Sequence, residues 1–243
     1  MKIKQAVILA GGQGTRLRPL TLTIPKPMVP VHGKPFVEYY LEQFRKEGIE
    51  EVVLLLGYLS QKFTEYLGDG SRYGLKFIYS IGTVEENNGT RVRNALPLLD
   101  ERFLLVYGDM YYPLDLKEHL AFYEKTGRPV MMTVYDNKNN DGEYLGGNVE
   151  VKDGLVTYYD QFMDDLFLKG LDIGYSIIDR SLVAQVREED FEFQGGFLRP
   201  LIAQGKVSGL VTQKPYCTIT SVEFLKKAET YFRDQEKART TSS

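Results

Sequence analysis

Uninterrupted apolar runs alternate with amphipathic segments through the first half of the chain. Unbroken runs are typical of strands buried on both faces of a sheet, and apolar residues spaced three or four apart are typical of helices packed on it. The pattern predicts strands at 5–10, 51–56, 75–79, 103–107 and 130–135, and helices at 36–47, 61–67, 91–98 and 114–124. This βαβ succession predicts an α/β fold with a Rossmann-like, mostly parallel central sheet and helices on both faces.

The pattern changes in the second half. Short strands at 146–151 and 155–159 flank Asp153-Gly154, a hairpin turn pair, and further strands are predicted at 173–178 and 207–211. These strands predict a small antiparallel substrate lobe continuous with the sheet, closed by a helix at 222–237. Because no Pro- or Ser-rich linker interrupts the chain, we expect one domain over 1–243, with 239–243 as a disordered tail.

Composition narrows the class of protein. The 243 residues are 43% hydrophobic and 26% charged, which is ordinary for a globular chain, and the net charge of -3 gives no reason to expect nucleic acid or a membrane surface as a partner. No apolar run is long enough to span a bilayer, so a cytoplasmic location is expected. The lone Cys217 excludes an internal disulfide and argues against a structural zinc site.

The candidate chemistry begins where the first strand ends. Gly11, Gly12 and Gly14 open a loop that also carries Thr15 and Arg16, and Lys26 follows between two prolines, which we expect to hold it in an extended segment. Backbone amides and fixed cations together suit a polyphosphate. The loop lacks the Gly-Lys-Ser/Thr ending of a P-loop and the third glycine of a dinucleotide fingerprint. A turn made only for packing would not need the hydroxyl and the guanidinium.

The ordered motif resembles one family. The run 11–21, with Pro25-Lys26-Pro27-Met28, then Gly33-Lys34-Pro35 and Gly108-Asp109, is similar to the sugar-1-phosphate nucleotidyltransferases, also called NDP-sugar pyrophosphorylases. The resemblance covers the first half well and the second half loosely. It implies transfer of a nucleotidyl group from an NTP to a sugar 1-phosphate, giving an NDP-sugar and pyrophosphate, with Mg²⁺ as cofactor. It also implies a nucleotide-binding half at 1–135 and a sugar-binding half at 136–238.

The resemblance assigns roles to individual residues. It implies that Arg16 and Lys26 act on the triphosphate as catalytic cations and that Asp109 is the metal carboxylate. An alternative role for Asp109 as the cap of the following helix is better filled by Asp115. The implied nucleotide-binding residues are Leu9, Ala10, Gly11, Gly12, Gly14, Thr15, Gly89 and Thr90.

The sequence also departs from the family pattern. Asn87 and Asn88 replace the Pro-Leu that usually precedes Gly-Thr, and Arg91 stands where a small residue normally follows, either reading a base or phosphate or pointing outward. Thr218 occupies the place of the second metal aspartate, so either Asp109 holds one metal with phosphates, or another acid such as Asp172 assists, or activity is lost. For the sugar, the matching positions are Gly147 and Asp172.

Three functions remain open at this stage. The run 21–30 favours GTP with a mannose or manno-heptose 1-phosphate. A catalytically impaired relative that binds nucleotide or sugar nucleotide in a regulatory role is the main alternative, and a transferase to a non-sugar phosphate such as phosphocholine is another. The sequence is compatible with a homo-oligomer but does not fix the oligomeric state.

Overall fold

The computed structural model describes residues 2–137, 146–165 and 167–240. The strands are β1 Gln5–Leu9, β2 Pro30–Val31, β3 Lys34–Pro35, β4 Glu51–Leu56, β5 Lys76–Ile81, β6 Arg102–Tyr107, β7 Met110–Tyr111, β8 Val130–Asp136, β9 Val149–Lys152, β10 Leu155–Tyr159, β11 Gly170–Asp179, β12 Val207–Thr212 and β13 Cys217–Thr218. The helices are α1 Phe36–Lys46, α2 Ser60–Leu67, α3 Asn88–Asn94, α4 Leu116–Thr126, α5 Arg180–Val183, α6 Arg199–Ala203 and α7 Val222–Thr240. A π-helical segment, Phe193–Leu198, precedes α6, and Thr15–Leu17, Lys26–Met28 and Leu96–Leu98 are among the 3₁₀ turns.

Nine of the described strands form one mixed sheet in the order β5-β4-β1-β6-β11-β8-β12-β10-β9. Strands β5, β4, β1 and β6 are parallel neighbours, with Val7 of β1 opposite Val53 on one side and Leu105 on the other. Strand β11 then runs antiparallel between β6 and β8, and β12 pairs with β8 in parallel. The parallel part of the sheet therefore coincides with the first half of the chain.

Hydrophobic cores lie on both faces of this sheet. Along β1, Ala6 and Ile8 pack into the core with α1, α4 and α7, whereas Val7 packs into the core with α3, α5 and α6. Alternate residues of a strand point to opposite faces, so an unbroken apolar run can fill two cores at once. The observed burial thus explains why β1, β4 and β6 carry no polar alternation.

The strand order places the site. Helical crossovers put β4 and β5 on one side of β1, and the chain then returns to place β6 on the other side. In such sheets ligands bind beyond the carboxyl ends of the strands, at the point where the order reverses. Strands β1 and β6 flank that point, and the glycine loop and Gly108-Asp109 directly follow them.

The structure modifies two predictions about the fold, the mostly parallel sheet and the extent of the tail, and it agrees with the prediction that the second-half strands are continuous with the sheet. The sheet is mixed, because β11 pairs antiparallel with β6 and β8, and β10 pairs antiparallel with β12 and β9. The mostly parallel description holds for β5, β4, β1 and β6, and β8–β12 is one further parallel pair. The second-half strands β9 and β10 extend the same sheet at its edge. Helix α7 continues to Thr240 through part of the predicted tail, and 241–243 lie outside the described residues. Among the described residues, no helix combines the length and apolarity needed to cross a membrane.

Candidate functional site

The glycine loop turns sharply at Gly14. Gly14 has φ 61° and ψ 37°, a left-handed conformation that glycine adopts without a steric penalty. A Cβ at this position would lie 3.0 Å from Cβ of Lys26, and the carbonyl of Gly14 accepts a hydrogen bond from the Thr21 hydroxyl at 2.8 Å. Glycine is therefore required both by the backbone and by the segment that carries Lys26.

Lys26 is the first residue of a 3₁₀ turn, not part of an extended segment as the flanking prolines suggested. The turn forms because Pro27 fixes its φ near the helical value, which suits the start of a helix. The Lys26 ammonium lies 2.5 Å from Oδ2 of Asp109, and the two side chains are 14% and 26% exposed. The structure thus joins two residues that the sequence separates widely.

Asp109 follows Gly108 at the end of β6. A Cβ at Gly108 would lie 2.7 Å from the carbonyl oxygen of Leu9, so only glycine lets the chain pass this close to β1. Although burial alone would raise the pKa of Asp109, the Lys26 charge and its hydrogen bond, with a smaller contribution from Arg16, hold that pKa below its ordinary value. The carboxylate is therefore ionised at neutral pH. Helix α4 is capped by Asp115, whose Oδ1 accepts from the backbone of Glu118 at 2.9 Å, which confirms the predicted cap.

Thr218 lies next to Asp109, as its alignment with a metal residue implied. Strand β13 pairs with β7, and the Thr218 hydroxyl donates to the carbonyl of Asp109 at 2.8 Å while sharing a 2.6 Å hydrogen bond with Thr220. This hydroxyl is buried and already engaged. Within the described residues, no group of three His, Cys, Asp or Glu side chains forms a metal cluster.

A cavity of about 480 Å³ opens beyond the ends of β1 and β6. Nine of the predicted site residues line it: Leu9, Ala10, Gly11, Gly12, Gly14, Thr15, Arg16, Lys26 and Asp109. Other lining residues come from the segment after β5, from the end of β6 and from the start of the π-helical segment: Val84, Glu86, Asn87, Asn88, Arg91, Tyr107, Glu192 and Gln194. Lys34, which belongs to the motif Gly33-Lys34-Pro35, is absent from this lining and pairs with Glu42.

Gly89 and Thr90 lie behind the cavity wall. The Thr90 hydroxyl donates to Asp190 at 2.6 Å, and a Cβ at Gly89 would lie 2.7 Å from the carbonyl oxygen of Phe191. Asp190 also accepts from the backbone and side-chain amides of Asn87, at 3.0 and 2.8 Å. The Gly-Thr pair and Asn87 therefore fasten this segment to residues of the second half.

Arg91 points inward, not outward. It is 5% exposed, and Nη1 donates to the carbonyl of Leu56 at 2.7 Å. Desolvation lowers the pKa of its guanidinium, an effect that the nearby carboxylate of Glu86 opposes. A Cβ at Gly11 would lie 2.6 Å from Nε of Arg91, so the glycine loop rests directly on this side chain.

Asp172 is buried behind Tyr107. Its Oδ2 accepts from the hydroxyls of Tyr107 and Tyr159, both at 3.0 Å, and Oδ1 accepts from the amide of Gly174 at 2.8 Å. Burial raises the pKa of this carboxyl, and these hydrogen bonds oppose the rise. Both carboxylate oxygens already accept hydrogen bonds. These contacts favour a role for Asp172 in orienting Tyr107 over a role as a metal ligand or as a residue in direct contact with a sugar. The other predicted sugar residue, Gly147, packs against backbone, since a Cβ there would lie 2.9 Å from the amide nitrogen of Lys169.

The residues that join the first half of the chain to the second were missed by the sequence analysis. Asn88 donates to Gln194 at 3.2 Å, Gln194 donates to Tyr107 at 3.1 Å, and Tyr107 donates to Asp172. The only signal was the replacement of Pro-Leu by two asparagines, whose amides need polar partners when partly buried. Those partners, Asp190 and Gln194, lie about a hundred residues away in the chain.

Known proteins resemble this chain in sequence and in fold. The family model for nucleotidyl transferases matches residues 5–155. The D-glycero-α-D-manno-heptose 1-phosphate guanylyltransferase of Campylobacter jejuni is 31% identical over 154 residues, 63% of this chain and 67% of its own length. The enzyme of the same name from Aneurinibacillus thermoaerophilus is 26% identical over 230 residues, which cover 93% and 96% of the two chains. For the UTP–glucose-1-phosphate uridylyltransferase of Synechocystis, at 33% identity, the chain spans only 35% of the relative's length.

The fold has solved counterparts. The crystal structure of HddC from Yersinia pseudotuberculosis aligns with a TM-score of 0.80 at 24% identity, over 95% of this chain and 100% of that one. The same protein complexed with GMP-PN aligns with a TM-score of 0.79. The family match spans more than half of the chain and contains the glycine loop, Lys26 and Asp109. The chain therefore belongs to the nucleotidyl transferase family, as the resemblance of its motifs to the sugar-1-phosphate nucleotidyltransferases predicts.

Proposed function

We propose that this protein transfers a nucleotidyl group from an NTP to a sugar 1-phosphate, giving an NDP-sugar and pyrophosphate. The observation that carries this proposal is the Lys26–Asp109 ion pair, which lies in one cavity with Arg16 and the glycine loop. A phosphate oxygen of the sugar attacks the α-phosphorus, the bond to the β-phosphate oxygen breaks, and pyrophosphate leaves. Both groups are already ionised, so the reaction needs positioning and charge neutralisation and no general acid or base.

Lys26 and Arg16 would bind different phosphates of the NTP. The Lys26 ammonium has three N–H donors, of which one is used by Asp109, so two remain for the α-phosphate region. Arg16 is exposed at the rim of the cavity and forms no ion pair with any residue in the described ranges, which leaves its fork free for the β- and γ-phosphates. Backbone amides of the loop supply the remaining donors.

The carboxylate oxygens of Asp109 are suitable ligands for a hard cation. Apart from Lys26, no side chain in the described ranges donates to this ionised carboxylate, and oxygen ligands from a single carboxylate plus phosphates suit Mg²⁺. Bound there, Mg²⁺ would neutralise phosphate charge. Asp109 would hold the cation, and Lys26 would keep the carboxylate ionised and oriented. The Thr218 hydroxyl and both oxygens of Asp172 are buried and already take part in hydrogen bonds, which argues against either residue as the ligand of a second cation.

The finer assignment is GTP with a manno-heptose or mannose 1-phosphate. Two relatives that carry a manno-heptose guanylyltransferase name support it, one of them over nearly the whole chain, and so does the fold shared with HddC, which has been crystallised with GMP-PN. Residues 136–238 would form the sugar-binding half, with Gly147 at its wall and Asp172 acting through Tyr107. Residues 1–135 would bind the nucleotide.

Pyrophosphate release tests the proposal. The purified chain is incubated with Mg²⁺, each of GTP, UTP, CTP, ATP and dTTP, and each of several hexose and heptose 1-phosphates, with phosphocholine as a separate acceptor arm. We expect release with at least one sugar 1-phosphate, fastest with GTP and a manno-configured acceptor. Release with phosphocholine alone would establish the non-sugar transferase. Silence across the panel, with nucleotide binding retained, would establish the regulatory alternative.

A further inference from the structure

The backbone amides of the glycine loop are free to bind a ligand. Within the described ranges, the amide nitrogens of residues 11–14 donate to no acceptor of the protein. Amides in this state suit the oxygens of a triphosphate. Since protein hydrogen bonds do not fix these amides directly, their positions depend on the side chains against which the loop packs.

The loop packs against a different side chain at each end. A Cβ at Gly14 would lie 3.0 Å from Cβ of Lys26. A Cβ at Gly11 would lie 2.6 Å from Nε of Arg91. At Gly12 a Cβ would meet nothing within 4 Å, so the loop faces the open cavity between these two supports. Arg91 is 5% exposed and therefore acts on a ligand through the backbone that it supports.

The guanidinium of Arg91 connects the carboxyl ends of three neighbouring strands. Nη1 donates to the carbonyl of Leu56, the last residue of β4, at 2.7 Å. Nη2 donates to the carbonyls of Thr83 and Glu86, in the segment after β5, at 2.5 and 3.1 Å. The same guanidinium lies against Gly11, just beyond the end of β1. The hydrogen bonds to backbone carbonyls fix the guanidinium, and the guanidinium in turn supports the loop.

Gly57 leaves the space that this guanidinium occupies. A Cβ there would lie 2.6 Å from both Nη1 and Nη2 of Arg91. The backbone of Gly57 is not left-handed, so alanine would press on the guanidinium without adding backbone strain. Gly57 is not among the described residues that line the cavity. A substitution at Gly57 therefore displaces the guanidinium without contacting the ligand.

We propose that Arg91 is a positioning residue, which holds the Gly11 end of the glycine loop so that the loop amides meet the triphosphate of the NTP. The inference rests on the proposed function and deepens it. The three atoms nearest to a Cβ at Gly11 all belong to Arg91, so loss of the guanidinium would leave a void beneath that residue. The loop would then shift and its amides would meet the phosphates less well, and phosphoryl transfer depends strongly on such positioning.

The ratio of NTP affinity to NMP affinity measures this role, because an NMP lacks the β- and γ-phosphates. Calorimetry with Mg²⁺ and without an acceptor compares the NTP that releases pyrophosphate fastest, among GTP, UTP, CTP, ATP and dTTP, with the monophosphate of the same nucleoside. We expect Arg91→Ala to lower this ratio by about 10- to 100-fold, the range of one hydrogen bond to a charged group. A side chain that contacted the nucleobase would change both affinities alike, and partial unfolding would reduce the number of binding sites without changing the ratio.

Gly57→Ala displaces the same guanidinium from another position. In the wild-type background it should lower the ratio about 3- to 10-fold, because the guanidinium has to move away from the new Cβ. Added to Arg91→Ala, it should change the ratio by less than about twofold, since the group that it displaces is gone. Arg102→Ala is the control. It removes a guanidinium that pairs with Asp179 at the start of β6, the end of the strand opposite the cavity, and should leave the ratio unchanged.

Thermal unfolding shows whether each variant is folded, and Gly57→Ala decides the question if Arg91→Ala does not fold. A ratio within about twofold of the wild-type value in folded Arg91→Ala or in Gly57→Ala would overturn the positioning role and leave the proposed reaction standing, as would a further large loss when the two changes are combined. If the wild-type chain binds none of the five NTPs and releases no pyrophosphate, the proposed function fails and the positioning role with it.

Discussion

At the scale of single residues, the Lys26–Asp109 pair combines two tasks. The ammonium holds the carboxylate ionised in a partly buried place, and the carboxylate holds the ammonium where a phosphate would bind. Each partner is the other's only charged hydrogen-bond partner on the described side chains. Removing either charge therefore leaves the other without compensation, and this has a kinetic consequence that can be measured.

Replacing Asp109 with Asn, or Lys26 with Ala, should lower kcat by at least about 100-fold, because each removes a fixed charge from the site of phosphoryl transfer. Pyrophosphate release gives the rates, and thermal unfolding shows whether the fold is retained. Lys34→Ala is the matched control, since Lys34 pairs with Glu42 and lies over the ring of Tyr39, outside the cavity. Near-normal rates in both site variants would show that the roles are misassigned.

The left-handed conformation of Gly14 leads to a second prediction for a single residue. Gly14→Ala should destabilise the chain by about 1–2 kcal/mol, because φ is 61° and the new Cβ would press on Lys26. Gly12→Ala is the control for stability, since φ at Gly12 is not left-handed and a Cβ there meets nothing within 4 Å. Urea unfolding of both variants checks the difference. Equal losses would mean that the left-handed turn carries no strain for alanine.

At the scale of elements, helix α4 is joined to the sheet by a buried histidine. Nδ1 of His119 donates to the carbonyl of Asp115 at 2.7 Å, and Nε2 shares a hydrogen bond with the hydroxyl of Thr133 in β8 at 3.0 Å. The ring is fully buried, which favours its neutral form. Desolvation lowers the pKa of His119 below its ordinary value, despite the opposing effect of the Asp115 carbonyl.

The lowered pKa of His119 fixes the direction in which the free energy of unfolding changes with pH. Between the lowered folded pKa and the unfolded value of about 6.5, the unfolded chain binds more protons, so the free energy of unfolding falls as pH falls, by up to about 1.4 kcal/mol per pH unit. Urea unfolding between pH 7.5 and 5.5 measures the slope. The chain has two histidines. The variant His32→Gln keeps His119 as its one titrating imidazole, and the double variant His32→Gln/His119→Gln has none. An unchanged slope in the double variant would refute the role of His119.

Elements with a long apolar signal were predicted closely, and elements without one were not. The strand 51–56 and the strand 155–159 match β4 and β10 residue for residue, because unbroken or alternating apolar residues fix both their extent and their buried faces. The predicted helix 91–98 begins three residues earlier, at Asn88, and gives way to a 3₁₀ turn at Leu96–Leu98. The π-helical segment and the two-residue strands β7 and β13 were missed, since their conformations depend on contacts with distant residues.

In the candidate site too, residues within a local sequence motif could be predicted, and residues positioned by distant contacts could not. The assembly of the glycine loop, Lys26 and Asp109 around one cavity could be predicted, because one contiguous motif carries the loop and Lys26, and the strand order brings Asp109 beside them. The interior position of Arg91 could not be predicted, because it depends on three glycines that lie at the ends of three different strands. The anchors Asp190 and Gln194 likewise carry no local pattern that distinguishes them from surface residues.

At the scale of the whole molecule, Phe232 joins the carboxyl-terminal helix to the first half. Its ring stacks on Tyr39 of α1 with centroids 3.5 Å apart and meets Tyr111 of β7 edge-on at 5.0 Å. It is 6% exposed. The strand it touches, β7, directly follows Asp109, so α7 supports the site from behind.

Phe232→Ala should destabilise the chain by about 3–5 kcal/mol, the usual cost of removing a buried aromatic ring. Phe162→Ala, which changes a ring that is 73% exposed, should cost less than about 0.5 kcal/mol. Urea unfolding measures both variants. A loss below about 1 kcal/mol for Phe232→Ala would mean that α7 is held mainly by contacts elsewhere.

Hydrogen bonds that connect Asn88, Gln194, Tyr107 and Asp172 tie the proposed nucleotide-binding half to the proposed sugar-binding half. Engineering a new acceptor by exchanging residues 136–238 for those of a relative would remove Gln194 and Asp172 and leave Asn88 without its partner. If the proposed roles of the two halves hold, we expect such a chimaera to bind nucleotide more weakly as well as to change its acceptor. Useful redesign would need to carry Asn87, Asn88 and Tyr107 across together with the grafted half.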